Sequence, residues 1–176
     1  MKFSVITLWD PLVRIFHWSL AGIFVANYWV NDTGEDWHKW LGYIAIAWLC
    51  VRFVWGFIGK GAARWVNFFP TYSRLRFHVC SLVKGEAYHP MGHSPLGALI
   101  MILMLLLVLV LGISGFMMEE IDYFWGEDWL QELHGFVAHG LLVLVIIHVS
   151  AALVESYRLK ENLPLSMIHG KRKRRP

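Results

Sequence analysis

The chain has 176 residues, 57% of them hydrophobic, a mean hydropathy of +0.48 and a formal net charge of +3. A water-soluble domain of this composition would carry far more apolar surface than one core can bury, so the sequence belongs in lipid. Its two cysteines, Cys50 and Cys80, belong to no C-x-x-C-H sequence. A covalently attached c-type haem, an iron–sulfur cluster and a disulfide framework are therefore excluded.

In chain order, residues 1–10 lack the apolar run and small-residue cleavage site of a removable signal peptide, so the first helix is expected to stay as an anchor. Four apolar stretches follow, at about 12–30, 37–58, 95–118 and 132–156, each long enough to span a bilayer. The expectation is an all-α, four-transmembrane-helix bundle forming a single membrane domain over 1–176. NDTGED at 31–36 and EEIDYFWGEDWLQE at 119–132 read as short polar connections. Segment 59–94, with its glycines, prolines and bases, is the longest loop and is expected to carry an interfacial helix around 71–84.

Charge fixes the expected orientation. The loops at 31–36 and 119–132 hold nine acids and no base, whereas 59–94 holds five bases against Glu86, and the tail from Glu155 holds seven bases against two acids. Basic residues near helix ends stay on the cytoplasmic side, and an even number of helices puts both termini there. The KRKRR run at 171–175 follows a membrane helix, so it is assigned to anionic lipid rather than to nucleic acid.

Ionisable groups inside a span are costly enough to be functional candidates. His134 and His148 are 14 residues apart on the last predicted helix. At about 100° per residue this returns to within about 40° of the same face, with a rise of about 21 Å. One helix thus offers ligands at two depths. His38, at the outer end of the second helix, is level with His134, and His17, near the inner end of the first, is level with His148. The pattern predicts two haems b, the inner held by His17 and His148 and the outer by His38 and His134, each iron taking two neutral imidazoles. The alternative is that all four are structural histidines. A zinc site is disfavoured, because no H-E-x-x-H occurs and no carboxylate adjoins the intramembrane histidines.

Arg52, 14 residues after His38 on nearly the same face, and Arg14, one turn before His17, are expected to pair with haem propionates, or else to snorkel to the interface. Gly42 and Gly135 are candidates for close approach of a macrocycle. His139 faces away from both His134 and His148 on the helical wheel and is left as a hydrogen-bonding residue, with His78 the other candidate for quinone contact. Trp29, Trp37, Trp40, Trp125 and Trp129 fit an interfacial belt.

WDPLVRIFHW at 9–18, WHKWLGYIAIAWLCVRFVWGFIG at 37–59, GHSPLGAL at 92–99 and LHGFVAHGLLVLVIIHVSAAL at 133–153 resemble the bacterial cytochrome b561 superfamily. The resemblance is to the branch that includes the b-type cytochrome subunits of nickel–iron hydrogenases. It implies a diheme bundle in the bacterial inner membrane with ligands on the first, second and fourth helices, exchanging electrons between quinone and a periplasmic redox partner. Ser94 stands where that branch has Asn in GHNPLGA, and His93 becomes a turn or propionate-contact residue rather than an axial ligand.

Three partners follow from this. The first is a periplasmic c-type cytochrome, which the nine outer acids would attract if it is basic. The second is a nickel–iron hydrogenase or similar reductase, for which the chain would be the membrane anchor. The third is superoxide, with quinone as acceptor, an anion that the same acids would repel. A structural membrane adaptor is the non-redox alternative.

Overall fold

The computed structural model describes residues 4–84 and 94–174. The elements run β1 (Ser4–Thr7), α1 (Pro11–Trp29), α2 (Asp36–Ile58), α3 (Trp65–Phe68), α4 (Tyr72–Val83), α5 (Pro95–Glu120), α6 (Asp128–Leu159), α7 (Leu163–His169) and β2 (Lys171–Arg174). Single 3₁₀ turns occupy Gly61–Ala63 and Asp122–Phe124. A helix, α4, occupies the segment near 71–84 where one was expected. His93, read as a turn or propionate-contact residue, lies outside the described residues.

The helix starts follow from capping chemistry. Asp10 Oδ1 accepts from the Val13 amide at 2.9 Å, and Pro11 fills the first helical position, where the missing N–H costs nothing. Ser94 and Pro95 repeat the arrangement before α5, with Ser94 Oγ accepting from the Gly97 amide at 3.1 Å. Serine and asparagine are about equally good at this position, so the departure from the family form keeps the cap.

Three described helices, α2, α5 and α6, are long and apolar enough to cross a membrane by length and composition. Their surfaces are inverted relative to a soluble protein. Along α5, Leu103, Leu106, Leu109, Val110, Ile113 and Phe116 are all exposed, and only 6% of its most apolar window is buried. A continuous apolar surface of that kind is stable against acyl chains and not against water. α1 has the length of a short span, but Arg14, His17 and Asn27 interrupt it.

The chain divides into two compact units. The first is drawn from Met1–Ile15, Val54–Met101 and Ile147–Pro176. Its core is Trp9, Val13 and Ala63, with Leu8, Trp55, Ala62 and Met167 packed against them, and Trp55 Nε1 donates to the Asp10 carboxylate at 3.1 Å. Here β1 pairs antiparallel with β2, Ser4 opposite Arg174 and Thr7 opposite Lys171. Gly170 closes α7 at φ 76°, where an added Cβ would lie 2.7 Å from the Trp9 carbonyl oxygen, so only glycine fits the turn into β2. The second unit, Phe16–Phe53 and Ile102–Ile146, contains the His38 and His134 pair described next.

Candidate haem-binding site

Within the second unit the start of α2 is fixed from two sides. Asn27 Nδ2, on α1, donates to the His38 carbonyl oxygen at 3.1 Å, and Asn31 Nδ2 donates to Asn27 Oδ1 at 3.0 Å. Lys39 Nζ donates to Glu119 Oε1 at 2.6 Å, and the Tyr43 hydroxyl donates to Glu120 Oε1 at 2.7 Å. Two carboxylates at the C-terminus of α5 oppose its dipole, so a cation and a hydroxyl from α2 offset an unfavourable placement. Deeper in the unit, Gly112 lets α5 approach the Ile46 side chain so closely that a Cβ there would overlap Ile46 Cδ1.

Held in this way, His38 turns its ring toward His134 on α6. The ring centroids are 6.2 Å apart with a 54° angle between planes. With a metal–nitrogen bond of about 2.0 Å on each side and about 1.1 Å from ring nitrogen to ring centre, two imidazoles on opposite sides of one metal ion have centroids about 6.2 Å apart. Both histidines are half-buried, and the His38 Nδ1 is buried without a hydrogen-bond partner among the described residues. Among those residues no group of three or more His, Cys, Asp or Glu stands close enough to hold a metal ion. The arrangement is a facing pair, suited to a metal that brings its remaining four ligands with it.

Ser114 of α5, only 3% exposed, places Oγ 2.8 Å from His134 Nδ1. Neither Ser114 nor Asn27 was singled out by the sequence. The available signal was a lone polar side chain inside an apolar span.

His17, on α1, is half-buried and edge-on to Trp18, with centroids 5.0 Å apart. His148, on α6, is also half-buried, and Arg52 of α2 is buried at 3% exposure. Arg14 donates from Nη1 to the Ile168 carbonyl oxygen at 2.6 Å, and its Nε is buried without a hydrogen-bond partner among the described residues. A Cβ at Gly42 or Gly135 would meet no atom within 4 Å, so both positions border open space. His139 is exposed, with Nδ1 2.6 Å from the Gly135 carbonyl oxygen and its ring edge-on to Tyr28 at 5.9 Å, apart from the facing pair.

Comparison with known proteins bears on this geometry. The chain is 25% identical, over 94% of its own length and 87% of the relative's, to a probable Ni/Fe-hydrogenase B-type cytochrome subunit of Rhizobium leguminosarum bv. viciae. No solved structure matches. The model of the prokaryotic cytochrome b561 family matches residues 8–170, nearly the whole chain, and the chain therefore belongs to that family.

Proposed function

We propose that this membrane b-type cytochrome binds two haems b and passes electrons between membrane quinone and a redox partner on the outer face. The observation that carries the reading is the facing of His38 and His134 at 6.2 Å, a separation at which the two imidazoles would hold one haem iron between them. The inner pair, His17 and His148, rests on sequence spacing, and Arg14 and Arg52 are assigned to propionates. The buried Nε of Arg14 supports a remaining anionic partner there.

Haem iron, when bound, supplies a one-electron couple. The chain's part is to hold it. Haems held by paired histidines would serve as electron relays, with the histidines supplying the protein's ligands. The apolar walls of the helices keep water away, and the covering of exposed Leu, Ile and Phe keeps the relay within lipid. Four helices, α1, α2, α5 and α6, span the bacterial inner membrane in this reading, with both termini in the cytoplasm.

The named relative favours a hydrogenase-type partner, for which this chain is the membrane anchor and electron-transfer subunit. A basic c-type cytochrome is the second reading, favoured by the exposed acids Asp32, Glu35, Asp122, Glu127, Asp128 and Glu132. The charge available to it is smaller than the sequence count, since the Lys39 ammonium engages Asp36 and Glu119. Superoxide is disfavoured by the same charge.

A pyridine haemochrome titration of the detergent-purified chain tests the reading. Two haems b per chain are expected. A chain that purifies folded but without haem would contradict it and leave a membrane adaptor.

A further inference from the structure

Ser114 Oγ has three close neighbours: His134 Nδ1 at 2.8 Å, the Val110 carbonyl oxygen at 2.8 Å and the Leu111 carbonyl oxygen at 3.1 Å. A serine hydroxyl has one proton to give. The two carbonyls can only accept, so that proton goes back to the α5 backbone, as serine commonly does in helices. The oxygen then faces His134 with a lone pair, and the bond closes only if Nδ1–H donates to Ser114 Oγ. The opposite assignment, with the hydroxyl donating to Nδ1, would leave Oγ facing two carbonyl oxygens at 2.8 and 3.1 Å without a proton between them. In a water-free, low-dielectric span that arrangement is costly. The His134 ring is thereby fixed as the Nδ1–H tautomer, with the Nε2 lone pair available to a metal.

We propose that Ser114 is a positioning residue for His134, holding its tautomer and ring orientation and, by accepting the Nδ1 proton, raising its basicity as an axial ligand. The proposal rests on the reading of His134 as a haem ligand. An acceptor on the far nitrogen strengthens donation to the metal and stabilises the oxidised iron, so it lowers the midpoint potential of the haem concerned. The two sides of the pair are unequal in this respect. His38 Nδ1 has no hydrogen-bond partner among the described residues, so the hydroxyl acts through one ligand only.

The test is a redox titration with low-spin electron paramagnetic resonance on the haem-loaded wild type, Ser114→Ala and Ser114→Thr, with His134→Ala as the control. Ser114→Ala is expected to keep both haems while one midpoint potential rises and one low-spin signal shifts, and Ser114→Thr, which keeps the hydroxyl, is expected to restore both. Loss of one haem in Ser114→Ala with retention in Ser114→Thr also ties the hydroxyl to the ligand. Unchanged potentials and signals in Ser114→Ala, or an equal change or loss in both variants, would overturn the proposal. If His134→Ala keeps both haems, the underlying ligand assignment fails instead.

Discussion

The ammonium of Lys39 sits 2.6 Å from the Glu119 carboxylate and 3.4 Å from that of Asp36, joining the first turn of α2 to the last turn of α5 beside His38. Both partners keep access to water, at 27% and 39% side-chain exposure for Lys39 and Glu119. Lys39→Met is therefore expected to lower stability only slightly, since an ion pair screened by water contributes little. Thermal unfolding followed through the haem absorbance should show a small drop that shrinks as salt is added.

Gly112 sets a sterner condition. A Cβ there would overlap Ile46, so Gly112→Ala is expected to destabilise by about 1–3 kcal/mol through overpacking. Ile46→Ala should relieve part of that cost, and the double variant should be more stable than the two single effects added together. Strict additivity in thermal unfolding would show that α2 and α5 do not meet there.

Ser94 provides a test of the cap before α5. Ser94→Asn, the form seen in the related motif, is expected to be neutral, because asparagine caps as well as serine. Ser94→Ala should lose about 0.5–2 kcal/mol, since the Gly97 amide is left without its acceptor. Equal stability of all three chains would remove the cap from the account.

The helices were legible because apolar runs of spanning length announce themselves, and the histidine spacing placed His38 and His134 at one depth. Other parts were not legible for physical reasons. The pairing of β1 with β2 joins Ser4–Thr7 to Lys171–Arg174 across the whole chain, and KRKR read as a lipid-facing tail because no local pattern marks a strand whose partner is so distant. α7 is a seven-residue helix set by the Asn162 cap and Gly170, too short for periodicity to show. Counting outer acids as one negative field missed that Glu119 and Glu120 are engaged by α2. Ser114 lay hidden in the most apolar run of the sequence, and only its distance to His134 marks it out.

His78, on α4 outside the spanning helices, is 3% exposed, and burial pulls its pKa below the ordinary value of 6.5, with Glu155 pushing it back up and Arg158 pushing it down. A folded pKa below the unfolded one means that the unfolded chain binds the extra proton first. The stability of α4 packing should be complete above pH 6.5 and fall as pH drops through the lower folded value. Hydrogen exchange of α4 between pH 7.5 and 5 is expected to speed up on acidification, after correction for intrinsic rates, and His78→Gln should flatten the dependence. The range of pH is about that over which a histidine titrates.

The pairing of ligands is the centre of the account, and the haem content of single and double histidine variants tests it most directly. His38→Ala, His134→Ala and the double variant should each lose the same one haem, with the same spectral component missing from the reduced-minus-oxidised spectrum. His17→Ala and His148→Ala should both lose the other. If His38→Ala and His134→Ala remove different haems, or the double variant loses both, the facing pair does not share one iron and the account fails.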